Sequence, residues 1–280
     1  MMIFLLIISR KIRYGYPVFL FKFKYRHTIG CLVKMDFTLL LFFLIITCGG
    51  FVKGLTGFGI ALVTIPFLSL LIGVKVAVPL VAIFSSPMSL PIIWQLRKHV
   101  DWNTVVILFI GSLPGCYFGA SLLTYLPEST LLLILGCIII ASSIYSLSSK
   151  STLFSKENMA SSLLAGFFSG ICSAGIGASG PPVITYTSML PWSAHKIKGT
   201  LSCLFFIQIF PTAFSFWHKG LLTENVFNYG TKAIPALLIG TFLGMWIYNL
   251  LFKYNINFHR IVHTILLIIG LKMIYSGIFF

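Results

Sequence analysis

The chain has 280 residues, of which 58% are hydrophobic and 9% are charged, and its net charge is +15. So few charged residues cannot cover the surface of a soluble protein of this length. The basic excess would indicate a nucleic-acid partner in a soluble protein. In membrane proteins, however, Lys and Arg collect in cytoplasmic loops, so we expect no binding to nucleic acid.

Long windows without Asp, Glu, Lys or Arg indicate helices that cross a membrane. A helix needs about 20 apolar residues to span the hydrocarbon core, whereas the strands of a membrane barrel alternate over about ten residues. The windows are continuous and do not alternate, so they predict an all-α polytopic protein embedded in a lipid bilayer. Examples are residues 54–74, 76–96, 102–127, 129–149 and 158–195.

The beginning of the chain differs from the rest. Its first 34 residues hold seven of the 20 Lys and Arg residues. The apolar run 1–8 precedes these charges, whereas a signal peptide carries its positive residues first. We expect residues 1–35 to form a basic arm on the cytoplasmic side of the membrane, unless translation begins at Met35.

The remaining chain is predicted to contain the same arrangement twice. We predict a first transmembrane repeat over residues 36–149, a polar linker over 150–158 and a second transmembrane repeat over 159–280. Each half has four helices and a broken or re-entrant Gly-Pro segment, which gives about eight transmembrane helices in two homologous halves. The predicted helices are 37–52, 76–96, 103–125 and 130–148, then 159–175, 199–217, 229–252 and 261–280, and the broken segments are 54–73 and 177–191.

The stretches 50–68 and 166–184, which contain the two breaks, match each other without a gap at an offset of 116 residues. Interrupted apolar segments at corresponding places in two halves are the best sequence indication of a transporter's binding site. The repeat therefore predicts one site built from both segments. The matched residues are Gly50, Gly54, Gly59 and Pro66 in the first half and Gly166, Gly170, Gly175 and Pro182 in the second.

A second glycine pattern recurs in the two halves. Gly115 and Gly119 are spaced as GxxxG, and so are Gly240 and Gly244. Small residues four apart let helices approach closely in lipid, so we expect these glycines to lie in helix–helix contacts.

The distribution of charge predicts how the chain is oriented in the cell membrane. If each broken segment returns to its own side, the chain crosses eight times and both termini are cytoplasmic, with most Lys and Arg inside. If the segments cross fully, the two halves are inverted. The eight-crossing arrangement puts the basic arm, Arg97, Lys98, Lys150, Lys156, Lys219 and Lys232 inside, and Lys75, Lys196, Lys198, Lys253 and Arg260 outside.

The breaks are predicted to bind an anion. Broken helices survive in lipid only inside protein or beside a wet cavity, and a half-helix that begins there directs free N–H groups and a positive dipole end at the ligand. Lys53 would raise the potential, although it could also extend to the membrane surface. The candidate backbone donors are Gly57, Gly59, Gly175, Gly177 and Gly180, and the candidate hydroxyl donors are Thr56, Ser173 and Ser179.

Other site types find little support in the sequence. No pair of carboxylates falls within a predicted span, and no Cys or His spacing is typical of a metal site. We therefore expect no catalytic residues, no metal and no cofactor. Gln208, inside the predicted span 199–217, either lines the site or forms a hydrogen bond between helices.

The motifs resemble the sulfite exporter TauE/SafE family of membrane transporters. The resemblance rests on GFVKGLTGFG followed by Pro66 and on GFFSGICSAGIG followed by Pro182, and it extends from Asp36 to Phe280. It implies a carrier of the plasma membrane that moves sulfite, sulfoacetate or related sulfur-containing or organic anions.

Residues and resemblance together predict a secondary transporter of a small anion. Two other functions stay open: a membrane assembly or structural subunit without its own substrate, and a membrane-embedded enzyme. The enzyme would need clustered His or carboxylate residues at one depth, which the sequence does not contain.

Overall fold

The computed structural model describes residues 28–148 and 157–254, together with residues 267, 270, 271, 274 and 275. The chain divides into two compact units, Met1–Thr38 and Leu39–Phe280. In the smaller unit the structure describes only the start of the first helix, residues 28–38. Most of the predicted arm 1–35, of the linker 150–158 and of the span 261–280 lies outside the described residues.

The described residues form α-helices and no strand. Short 3₁₀ turns at Ser86–Met88 and Arg97–His99 follow two of the helices. The helices are α1 Thr28–Thr56, α2 Ile60–Ile72, α3 Val74–Ser85, α4 Ser89–Leu96, α5 Trp102–Tyr125, α6 Glu128–Ser148, α7 Met159–Ile176, α8 Gly180–Ser188, α9 Ala194–Ile207, α10 Ile209–His218 and α11 Glu224–Tyr254.

Six stretches of the described chain are long and apolar enough to cross a membrane. This confirms the prediction of an all-helical polytopic membrane protein. The prediction of about eight spans stays a prediction, because the last predicted span lies outside the described residues. The six stretches are Thr38–Thr56, Val74–His99, Trp102–Tyr125, Met159–Ile176, Ala194–His218 and Glu224–Leu250.

Two spans that were predicted as continuous helices are interrupted in the middle. The first changes to a 3₁₀ turn at Ser86–Met88, which contains Pro87. The second is interrupted at Gln208, three residues before Pro211. Proline has no N–H to donate and its ring crowds the preceding turn, which explains why the regular helix is disturbed at both places.

The GxxxG glycines lie where helix backbones touch. A Cβ at Gly115 or Gly119 of α5 would strike the carbonyl oxygen of Phe167 or Ile171 in α7. This confirms the packing interpretation of that motif. Because residue numbers rise together along the contact, α5 and α7 run parallel.

The second GxxxG motif packs in the same way. A Cβ at Gly240 or Gly244 of α11 would strike the carbonyl oxygen of Thr47 or Phe51 in α1. The packing interpretation is confirmed here too, and α11 and α1 also run parallel.

A polar cluster ties the start of α7 and the start of α9 to the start of α5. Lys196 Nζ lies 2.7 Å from Asp101 Oδ2 and 3.5 Å from Glu157 Oε1, and Thr104 donates a hydrogen bond to Glu157. Burial acts to raise the pKa of Asp101, but the hydrogen bonds from Lys196 and Thr104 outweigh it and hold the pKa below its ordinary value. The segment from Glu157 to Lys196 thus begins and ends at the same end of α5.

These contacts correct the division of lysines between the two membrane faces. Lys196, predicted outside, lies at the end of α5 next to Arg97 and Lys98, which were predicted inside. At the opposite end of α5, Lys75 donates to the carbonyl of Thr124, and Lys219 lies over the rings of Tyr117 and Tyr125. The charge count that supported two cytoplasmic termini therefore does not hold.

Candidate functional site

A cavity of about 50 Å³ lies where the two breaks and the two mid-span interruptions meet. A single buried water needs at least about 10–15 Å³, so this space has room for several waters or a small ion. Its lining includes Lys53, Ser85, Ser86, Ser173, Ser179, Gln208 and Thr212 among polar residues, Gly59, Gly177 and Gly180, and the apolar Phe58, Ile60, Ala61, Leu62, Ala82, Ala178, Phe205 and Ile209.

The first break separates α1 from α2 and provides backbone donors. Gly57 and Gly59 have φ of 84° and 88°. This is the left-handed region, which residues with a side chain rarely adopt. The first α2 bond runs from the N–H of Val63 to the carbonyl of Gly59. The three preceding amides, from Ile60 to Leu62, have no partner within the helix, and their residues line the cavity.

Lys53 brings a cation to this side of the cavity. It lies in the last turn of α1, is 3% exposed, and donates from Nζ to the carbonyl oxygen of Ser85 at 2.6 Å. Both ion pairs of the described residues involve Lys196, so no carboxylate neutralises Lys53 there. The side chain faces the cavity and does not extend to the membrane surface.

The second break separates α7 from α8 and satisfies its own backbone. Gly177 has φ of 68°. Its N–H donates to the carbonyl of Ser173, and the N–H of Ala178 donates to the carbonyl of Cys172, both at 3.0 Å. The first turn of α8 contains Pro181 and Pro182, which have no N–H, so this helix start provides fewer amide donors than α2 does.

Hydroxyl and amide groups surround the second break. Thr212 Oγ1 lies 3.3 Å from the Ser173 hydroxyl and 3.4 Å from the Cys116 thiol. Ser169 donates to the carbonyl of Ser179 at 2.9 Å. Gln208 Nε2 lies 3.5 Å from Ser169 Oγ, while the buried Oε1 of Gln208 has no hydrogen-bond partner among the described residues. Rotation of the amide exchanges the two atoms, so Gln208 can present either a donor or an acceptor to the cavity.

The structure brings six of the nine predicted site residues to the cavity: Lys53, Gly59, Ser173, Gly177, Ser179 and Gly180. The Thr56 hydroxyl instead donates to the carbonyl of Val52 at 2.8 Å. Gly57 lies against the side chain of Lys198, and Gly175 lies inside α7, facing Gly119.

Lys198 is the main residue that the sequence reading missed, since it was predicted in an outer loop. It is 5% exposed, and its Nζ donates to the carbonyl oxygens of Gly54 and Leu55 at 2.9 and 3.0 Å. In the sequence it directly precedes an apolar run, as a loop lysine would, so no local signal indicates its burial. Ser85 and Ser86 were missed too, although the adjacent Pro87 is a signal for a disturbed helix.

The lining favours an anion over a cation. Among the described residues it contains a lysine, hydroxyl-bearing side chains, an amide and the first residues of α2, and no Asp or Glu. Within the described ranges, no three His, Cys, Asp or Glu residues come together in a group that could hold a metal ion. Buried polar groups and a buried cation with spare donors suit a ligand that carries negative oxygens.

Comparisons with known proteins agree with this chemistry. Residues 42–273 match the family model described as sulfite exporter TauE/SafE. A protein of Cupriavidus necator, described as a probable sulfite/organosulfonate exporter TauE, is 30% identical over 205 residues, covering 70% of this chain and 78% of that protein. No solved structure matches the chain.

Proposed function

Since the chain belongs to the sulfite exporter TauE/SafE family, we propose that it is a secondary membrane transporter for sulfite, organosulfonates or related small anions. The substrate class follows the description of the Cupriavidus necator relative. The protein would act in the cell membrane as a multi-pass carrier, with no chemical change to the solute.

One observation carries the proposed site: a buried lysine and a helix start face the same cavity without a carboxylate. Sulfite and organosulfonates share a head group of three oxygens on sulfur, which accepts hydrogen bonds from several directions. Lys53 and the first residues of α2 line the cavity, and so do Ser173, Ser179 and Gln208. Together they would replace the water that the anion leaves behind.

We further propose that residues 36–149 and 159–280 are homologous halves with inverted topology. In each half the re-entrant unit is the broken segment together with the helix before it, so that this pair returns to the side on which the helix begins. The return of the segment between Glu157 and Lys196 to one end of α5 supports this arrangement. So does the parallel pairing of α1 with α11 and of α7 with α5. Inverted repeats that enclose broken helices are a common plan of secondary transporters, with the substrate at the interface between the repeats.

Filling the cavity tests the proposed site. Ala82 of α3 lines the cavity. Leucine is a good helix former, so Ala82→Leu should leave α3 intact. In proteoliposomes loaded with radiolabelled sulfite, we expect Ala82→Leu to lower the initial flux at least about tenfold, because the larger side chain occupies space that the anion needs. Ala160→Leu is the matched control, since Ala160 is exposed at the start of α7, and it should transport like the wild type.

These experiments test separately whether the protein transports an anion and whether this cavity is the binding site. A wild-type protein that moves neither sulfite nor a sulfonate such as taurine would contradict the transport function and favour an assembly subunit. Conversion of a solute into a new product would favour an enzyme. Normal flux through Ala82→Leu would leave transport intact and remove this cavity as the site.

A further inference from the structure

The first break puts the negative end of a helix next to the proposed anion site. The last carbonyls of an α-helix have no intrahelical donor and carry roughly half a negative charge. In α1 these include the carbonyls of Gly54 and Leu55, a few residues before the cavity-lining Gly59. Left bare, they would repel an anion from the amides of α2.

Lys198 neutralises these carbonyls. Its Nζ donates from α9 to both oxygens, at 2.9 and 3.0 Å, and Lys198 is not among the residues that line the cavity. Neither described ion pair includes Lys198. Its charge is therefore balanced by backbone dipoles and by no described carboxylate.

The surroundings hold the ammonium group in place. Lys198 Nζ lies 3.2 Å from the centre of the Tyr248 ring, a cation–π contact, and the Tyr248 hydroxyl lies 3.0 Å from His195 Nδ1. A Cβ at Gly57 would come within 2.7 Å of Lys198 Cγ. Glycine at 57 thus allows the chain reversal and also leaves room for the lysine stem.

We propose that Lys198 is a positioning residue that makes the first break selective for anions, by cancelling the negative end of α1 so that Lys53 and the α2 amides set the potential in the cavity. This inference rests on the proposed transport of small anions. It assigns to Lys198 an electrostatic effect on affinity without direct contact with the solute.

The test compares three substitutions in proteoliposomes supplied with labelled sulfite. Lys198→Gln keeps an N–H donor for the carbonyls but removes the charge, Lys198→Met removes both, and Lys198→Arg keeps both. We expect Gln and Met to raise the half-saturating sulfite concentration by about five- to tenfold. Arg should stay within about twofold of the wild type.

A purely structural lysine predicts a different pattern. Lys198→Gln would then lower the amount of folded protein or the maximal flux while the half-saturating concentration stays unchanged, and that result overturns the inference. If neither neutral variant folds, sulfite binding to purified Lys198→Arg decides the matter. Binding within about twofold of the wild type supports the electrostatic assignment, and weakening of tenfold or more overturns it. Absence of wild-type flux would instead count against the proposed function.

Discussion

The two breaks that face the cavity solve the same problem in different ways. At the first, the carbonyls at the end of α1 bond to the ammonium of Lys198, and the first residues of α2, whose amides have no partner within the helix, line the cavity. At the second, the backbone N–H groups of Gly177 and Ala178 bond to the last carbonyls of α7, and prolines replace the amide donors of the next helix.

The difference predicts unequal roles for the two breaks in the proposed site. Two buried lysines and a helix start lie at the first break, so we expect it to supply most of the positive potential. Hydroxyl groups and a turn that satisfies its own backbone lie at the second, so we expect it to supply shape and hydrogen-bond donors. Equal spacing of glycines in the sequence therefore does not imply equal chemistry at the two sides of the site.

The largest expected effect tests the charged side. Lys53→Met removes the only cation among the described residues that line the cavity, and loss of a buried charged partner costs on the order of 2–5 kcal/mol. We expect sulfite flux in proteoliposomes to fall by about thirtyfold or more, with partial recovery in Lys53→Arg.

The control for Lys53 is another lysine in an α-helix, one whose side chain is exposed. Lys232 is exposed on α11, so Lys232→Met should transport within about twofold of the wild type. Equal flux through Lys53→Met and wild type would show that the first break does not carry the charge on which transport depends.

A smaller effect, on stability, tests the turn of the second break. Gly177 and Gly220 have φ of 68° and 66°, and a residue with a side chain pays about 1–2 kcal/mol in that region. A Cβ at Gly177 would also strike the fully buried Ile65 of α2, whereas a Cβ at Gly220 meets nothing within 4 Å. We expect Gly177→Ala to lower the unfolding midpoint in detergent more than Gly220→Ala does.

The comparison with Gly220 isolates the contact between the breaks. The conformational cost of a positive φ is the same in both variants. The difference between their free energies of unfolding, about 1–3 kcal/mol, therefore measures overpacking against Ile65. Equal midpoints for the two variants would mean that the second break is not wedged against α2 as described.

The sequence predicts the helical membrane class, the two breaks and six of the cavity-lining residues. These follow from local features: uncharged runs of spanning length and glycines that permit positive φ. The GxxxG contacts were also predictable from a local feature, because small residues four apart leave one face of a helix without large side chains, so that another helix can approach closely.

The rest depends on which helices become neighbours. Lys198 has the local sequence of a loop lysine and is buried because α9 packs against the end of α1. The grouping of Lys196 with Asp101 likewise joins residues 95 positions apart and overturned the sidedness inferred from charge. Gly175 aligns with Gly59 in sequence but lies inside α7, because the second helix ends one turn later than its counterpart.

The most direct test of the account locates the anion itself. Selenite has the shape and charge of sulfite, and its selenium atom gives an anomalous diffraction signal. In crystals of the protein soaked with selenite, we expect a peak in the cavity between Lys53 and the side chains of Ser179 and Gln208. A well-occupied peak elsewhere in the protein, with none in this cavity, would contradict it.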